Sequence, residues 1–328
     1  MTITEHIKEK ALAFGFDLVG VTDASPVDRE QVSRLLGWLD AGYAGRMTWL
    51  HSNLEKRTDP AKLLPGAKSV IVVALNYKPA QHPPRPLGTG EVSPGAEKTE
   101  AKTAPMGRVA QFAQYDDYHP FIKKLLRQLA DFIVSTTCPS MQFKICVDST
   151  PLLERALAVR AGLGVIGKNR MLVNPRIGPQ IFLGEIVTNI ELDPDKPLKD
   201  SCPGCGKCVA ACPTGALKQD GSFDATKCIS YLTIEANTDV PAELAPKIGN
   251  HLFGCAECLL ACPSQQKAPT CANKEFVHHP DRAQLNLNDL LNLTEEQFKI
   301  QFARSPILRP GLTHLQKIAK ICIQNLSA

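Results

Sequence analysis

What the chain lacks narrows it first. Aromatic residues make up 6% of it, with only 2 tryptophans, and 37 Lys and Arg stand against 33 Asp and Glu. So mild an excess permits a nucleic-acid partner without indicating one, because backbone-driven binding shows itself as a concentrated basic face. No apolar run approaches the ~20 residues needed to span a bilayer. The opening Met1-Thr-Ile-Thr-Glu-His-Ile-Lys8 has neither an apolar signal core nor twin arginines, so a cytoplasmic protein without a membrane is expected. No internal repeat is visible outside the cysteine region. Disulfide-framework spacing is missing too: of 12 cysteines, Cys138, Cys146, Cys271 and Cys322 stand scattered, which suits a reducing compartment.

The other cysteines are anything but scattered. Cys202-Pro-Gly-Cys205-Gly-Lys-Cys208-Val-Ala-Ala-Cys212-Pro213 is C-x2-C-x2-C-x3-C-P, a lone Cys228 follows, and Cys255-Ala-Glu-Cys258-Leu-Leu-Ala-Cys262-Pro263 closes the region. In the bacterial ferredoxin pattern three thiolates hold one iron–sulfur cube and the fourth reaches a neighbouring one. Two [4Fe-4S] clusters are therefore expected. Cys202, Cys205, Cys208 and Cys262 would hold the first, and Cys212, Cys255 and Cys258 the second. Cys228 is the natural eighth ligand and Cys271, beyond Pro263 and Pro269, the fallback. Zinc knuckles separate two C-x2-C pairs by a loop, and this crowding suits a cube better.

At 328 residues the chain is long enough for two domains and a substantial core. Periodicity predicts a helix over 3–14, a strand over 17–22 and a helix over 28–41 with Val32, Leu35, Leu36 and Leu39 inward. The continuous apolar run Ser69–Tyr77 reads as a buried central strand. A long helix follows over 118–135 and a strand over 142–147. Thr150-Pro151 looks like an N-cap with proline at the first helical position. A further strand covers 180–190, and residues 286–328 look helical, with Thr294-Glu-Glu-Gln297 as a capping box. The expected fold is an α/β (α+β) catalytic domain over 1–193 with an exposed insertion at 79–106, a two-[4Fe-4S] ferredoxin-like domain over 194–275, and a helical C-terminal segment over 276–328.

Three motifs invite a chemical reading. Gly162-Leu-Gly164-Val-Ile-Gly167 matches G-x-G-x-x-G but follows a helix and leads toward a strand, the reverse of a dinucleotide fingerprint; a helix C-cap with tight backbone packing is the better account. Asp148 falls where a strand ends and a helix begins. It admits an Asx-turn or a proton donor whose pKa is raised by apolar surroundings, and spacing leaves both open. Asp117-Tyr118-His119 begins like the D-x-H-x-x-G box that supplies an axial histidine to cobalamin, but position 122 is Ile, so the box fails and His119 reads as a helix-start residue.

Five stretches together resemble the epoxyqueuosine reductases, cobalamin-dependent iron–sulfur enzymes of the last step in queuosine synthesis on tRNA. They are Glu55-Lys-Arg57-Thr-Asp-Pro60, Asp117-Tyr-His119, Val147-Asp148-Ser-Thr-Pro-Leu-Leu-Glu-Arg155, Arg160-Ala-Gly-Leu-Gly-Val-Ile-Gly-Lys168-Asn169, and the cysteines with Cys228-Ile-Ser230-Tyr-Leu-Thr233. The resemblance implies an N-terminal domain holding cobalamin base-off, a ferredoxin module closing over the corrin, and Asp148 as catalytic acid. By the same resemblance Arg57, Asp148 and Ser230 line the cobalamin, Ala110, Leu172, Leu183, Cys255 and Ala256 approach it, and Lys168 and Asn169 match the motif.

It further implies a tRNA anticodon stem-loop as partner, an external electron donor such as flavodoxin or ferredoxin, and a monomer. Arg155, Arg160, Lys168, Arg170 and Arg176 form the densest basic segment, open equally to phosphate contact and to solvation. The family's Gly-rich C-terminal stretch ending Arg-Asn is replaced here by Gln316-Lys317, and the helical-repeat domain some members carry is not seen. A reductive dehalogenase would show an export signal and a Tyr with Lys or Arg at the acid position. A plain electron carrier or cobalamin-handling protein would not need some two hundred residues before its clusters.

Overall fold

The computed structural model describes residues 2–80, 104–136, 138–199 and 202–328; most of the insertion expected at 79–106 lies outside them. Helix α1 (Ile3–Ala13) opens on a capping box between Thr2 and Glu5 and leads into β1 (Leu18–Asp23). Helix α2 (Arg29–Asp40) buries only Leu39. Leu36 is 40% exposed, so the expected four-residue inward face shrinks: the helix touches the core along one edge. Next come α3 (Leu54–Thr58) and β2 (Ser69–Asn76). Past the insertion stand β3 (Met106–Val109), α4 (Tyr118–Thr136) and β4 (Phe143–Cys146). Then follow α5 (Glu154–Arg160), the short pair β5 (Val165–Ile166) and β6 (Leu172–Val173), and β7 (Ile181–Thr188).

Four strands form a sheet in the order β1-β2-β7-β4, antiparallel at every pairing. Every residue of β2 is buried because the strand feeds two cores. Ile71, Val73 and Leu75 face α1 and α4, while Val70, Val72 and Ala74 face Leu157 and Ala158 of α5; alternate side chains leave opposite faces of a strand. Gly20 on β1 lets α5 close on the sheet, since a Cβ there would sit 2.1 Å from the Ala161 carbonyl oxygen. The glycine motif after α5 does what a C-cap does: Gly162 has φ +75, and a Cβ on Gly164 would meet the Val173 carbonyl at 2.6 Å.

Helix α5 starts at Glu154, not after Thr150-Pro151, and its N-cap is Leu153 with no side-chain cap. The residue before a proline is steered away from the α region, and the Leu153 N–H is drawn instead to the Arg57 carbonyl at 3.1 Å. That delay leaves Asp148–Leu153 as an extended turn.

The cysteine region contains α6 (Lys207–Ala210), α7 (Ile229–Ile234), α8 (Ala245–Ile248), β8 (His251–Phe253), α9 (Glu257–Leu260) and α10 (Pro263–Lys267). The C-terminal part adds β9 (Gln284–Asn286), α11 (Leu287–Leu291), α12 (Glu295–Gln301) and α13 (Leu312–Ser327). The capping box at Thr294 and Gln297 forms. Leu312, Leu315, Ile318 and Ala319 are buried together with Phe298, Phe302 and Phe253. A second sheet, β8-β3-β9, takes one strand from each of the segments 1–193, 194–275 and 276–328.

Two polar joints fasten the cysteine region to the first sheet. Gln265 donates to Gln180 at 2.5 Å, and Gln180 donates onward to Gln111. Lys78 donates to the carbonyls of Gln265 at 3.1 Å and Ala268 at 2.5 Å, satisfying the open end of α10.

Candidate functional site

The two cysteine runs build matched turns. Gly206 and Ala256, each directly after the first cysteine of a C-x2-C step, adopt left-handed backbone (φ 72 and 79) and cap the starts of α6 and α9. Cys202, Cys205, Cys208 and Cys262 line one cavity with Gly167, Lys168, Asn169 and Val173. The Cys202 and Cys262 thiols act electrostatically on Cys208. Cys212, Cys228, Cys255 and Cys258 form the second group: burial pushes Cys255 up to about 12 and Cys258 well above the usual thiol range, with Cys228 and Cys212 adding to both. Cys271 lies elsewhere, beside Tyr115 and Asp17. Each group thus has four sulfurs, the number a cube's corners require. Cys205 is exposed and Cys208 buried.

The Asp148 turn carries the other chemistry. Asp148 has φ +49, and its N–H donates to Glu154 Oε1 at 2.5 Å. Its Oδ2 accepts from His119 Nε2 at 3.1 Å, while His119 Nδ1 donates to Asp117 Oδ1 at 2.7 Å. The Tyr118 hydroxyl also bonds Asp148, and the Tyr118 ring is stacked between His119 and Phe182, with centroids 4.1 Å from each. Burial works against the imidazolium, but Asp117 and Asp148 together lift the His119 pKa to about 9. The same His119 bond holds the Asp148 carboxyl below its ordinary range, against desolvation. The expected upward shift of Asp148 is thus reversed: its side chain is 53% exposed, and a charged partner outweighs the apolar surroundings. At neutral pH the proton sits on the imidazole.

Cations rim this turn. Arg57 donates to the Trp49 carbonyl at 3.0 Å and feels the Asp148 charge. Arg309, clamped by Glu235 at 2.6 and 3.0 Å, lies over the exposed Trp49 ring at 5.7 Å and also acts on Asp148. Ser230 sits beside the Cys228 sulfur. Ala110 donates its N–H to Phe253 at 2.8 Å, next to Cys255 and Ala256. Leu172 and Leu183 belong to the core under α5. Lys168 and Asn169 wall the first cysteine cavity rather than the Asp148 turn.

Of the basic segment, Arg160 is spent internally on Thr22, Asp23, Ser25 and Pro26, and Arg176 on the Asp17 carbonyl. Gln316 donates to carbonyls of Leu290 and Leu291, and Lys317 pairs with Asp239. Sequence reasoning missed His119 as a site residue; the clue was an Asp two positions before a His, which lets one carboxylate take both the backbone and ring N–H. Trp49, Glu185 and Arg309 were missed as well.

Were a corrinoid bound here, His119 would offer it no free ring nitrogen. His119 has both ring nitrogens engaged by carboxylates, and Nε2 of His279, His251 and His314 is turned to Asp116, Glu257 and the Leu232 carbonyl.

An α+β domain with an acid–imidazole turn, joined to a double cysteine module, defines an iron–sulfur oxidoreductase. Residues 57–149 match the family model described as epoxyqueuosine reductase QueG, DUF1730, and 201–265 match the 4Fe-4S double cluster binding domain. The chain is 35% identical to the epoxyqueuosine reductase of Escherichia coli K12 over 98% of its own length and 80% of the relative's. It is 35% identical to that of Gloeobacter violaceus over 96% and 94%. The chain belongs to the epoxyqueuosine reductase family.

Among solved structures, the Streptococcus thermophilus epoxyqueuosine reductase aligns with TM-score 0.85 at 30% identity, covering 100% of this chain and 82% of that one. An epoxyqueuosine reductase with an epoxyqueuosine-modified tRNA-Tyr stem loop aligns at 0.85 and 33%, covering 98% and 80%. A Bacillus subtilis structure at 0.85 and 32%, covering 98% and 81%, has its aspartate-bearing catalytic loop swung out of the active site.

Proposed function

We propose that this protein reduces epoxyqueuosine to queuosine at the wobble position of tRNA, with Asp148 as the acid at the departing oxygen. The observation that carries this is the Asp117–His119–Asp148 array in a fold that aligns over 98% of its length with a reductase bound to an epoxyqueuosine-modified stem loop. Converting an epoxide to an alkene consumes two electrons and two protons and releases water. Asp148, half exposed, takes a proton from His119 and passes it to the oxygen as the carbon–oxygen bond breaks. His119, charged at neutral pH, is the source of that proton, while Asp117 keeps the ring oriented.

The two electrons would be supplied by an external carrier such as flavodoxin or ferredoxin, and Cys205 is the exposed member of the first cysteine group. Cys202, Cys205, Cys208 and Cys262 would hold the first [4Fe-4S] cluster, and Cys212, Cys228, Cys255 and Cys258 the second. Arg57, Ser230, Ala110, Leu172, Leu183, Cys255 and Ala256 are the residues that would hold the corrin, and Lys168 and Asn169 wall the cavity of the first cysteine group. When bound, the corrinoid supplies a low-valent metal centre, a reductant no side chain can be. The protein works as a cytoplasmic monomer. No helix among the described residues is long and apolar enough to cross a membrane.

Protein reconstituted with iron, sulfide and cobalamin, given a reductant, should convert epoxyqueuosine-containing tRNA and leave a chlorinated organic untouched. Dechlorination with the tRNA unchanged would contradict the reading.

A further inference from the structure

Glu185 is a lone acid in the apolar strand β7, and it is fully buried. Among the described residues, no N–H or O–H group hydrogen-bonds either of its carboxyl oxygens. The carboxyl of Glu154 is its hydrogen-bonding neighbour, and two carboxyls can bond only if one of them carries a proton. Burial raises Glu185 well above the ordinary carboxyl range, with Glu154 and Asp148 adding to it. Burial and the Asp148 charge also lift Glu154, less far than Glu185, while the Asp148 N–H and the Glu185 carboxyl pull it back down.

The titratable groups packed around the pair are Asp148, Tyr118, Cys146 and Arg155. Only Arg155 is a cation, and it acts on Glu154, not on Glu185. Glu154 in turn accepts the Asp148 N–H at 2.5 Å. An aspartate at φ +49 is backbone that persists only where its surroundings over-determine it.

We propose that Glu185 is a neutral carboxylic acid that donates its proton to Glu154, and that this pair positions the Asp148 turn for catalysis. The proton stays on Glu185, and the ionised Glu154 accepts from both sides: from the acid behind it and from the Asp148 N–H in front. Both are positioning residues, since neither touches the reacting atoms. The proposal rests on Asp148 being the acid, but its first test does not.

Infrared spectra of the folded protein at neutral pH, without substrate, should show the carbonyl band of a buried protonated carboxyl. Glu185→Gln, which keeps a neutral donor of the same shape, should remove that band and keep turnover within about threefold of wild type. Glu185→Ala should lower kcat about tenfold or more with KM nearly unchanged; iron content and melting temperature identify variants that have lost the fold. A wild-type protein lacking the band, or a Gln variant that retains it, overturns the proton assignment. A Gln variant as impaired as the Ala variant overturns the positioning role. If the wild type failed to reduce the epoxide but showed the band, the Asp148 reading would fall and the carboxyl pair would stand.

Discussion

The ring of His119 donates from Nε2 to Oδ2 of Asp148 across 3.1 Å, so the half-exposed acid draws its proton from a group that stays charged until about pH 9. The ordinary device for a catalytic carboxyl is an apolar pocket that raises its pKa. Here a depressed carboxylate is coupled to an elevated imidazole.

This coupling has a signed consequence for stability. The folded pKa of His119 lies above its ordinary 6.5, so the ion pair stabilises fully below about pH 6.5 and is lost as pH rises through about 9. Screening at the half-exposed Asp148 leaves an effect on the order of 2 kcal/mol. Urea unfolding from pH 6 to 10 should show this loss in the wild type, and His119→Gln should flatten it. Turnover should show an alkaline limb near pH 9 that the variant lacks, together with a kcat about 10²-fold lower.

The cysteine partition is testable by counting iron. Cys228→Ser should drop the content of anaerobically reconstituted protein from about eight atoms toward four. Cys271→Ser should leave it unchanged, because that thiol packs beside Tyr115. Equal losses in the two variants would reverse the assignment of the eighth ligand.

At Gly20 the contact between β1 and the end of α5 leaves no room for a methyl group. Gly20→Ala should cost about 2–3 kcal/mol by overpacking, read as a lower midpoint in denaturant with unchanged iron content per folded molecule. A variant as stable as the wild type would show that the strand and helix are free to part.

Much of this was legible in the residues themselves. The cysteine spacing announces the double module, the β2 run announces a strand buried on both faces, and Thr294 with Gln297 announces a helix start. Periodicity carries no strand direction, which is why α/β alternation and an antiparallel sheet look alike in the sequence. The start of α5 was misplaced because Pro151 suits a first helical turn, while the rival partner for the Leu153 N–H, the Arg57 carbonyl, is far away in the chain. The sign of the Asp148 shift turns on an imidazole brought in from the start of α4. Glu185 was visible as one acid in an apolar strand, but its partner Glu154 is supplied by folding.

The central claim is that Asp148 hands a proton to the departing epoxide oxygen, and the direct measurement compares the wild type with Asp148→Asn. Both are loaded with iron, sulfide and cobalamin and given epoxyqueuosine-containing tRNA under reducing conditions, with product followed by mass. The variant is predicted to keep about eight iron atoms and its corrinoid binding while kcat falls by about 10²–10⁴. A fully loaded variant that converts the tRNA at the wild-type rate would contradict the account.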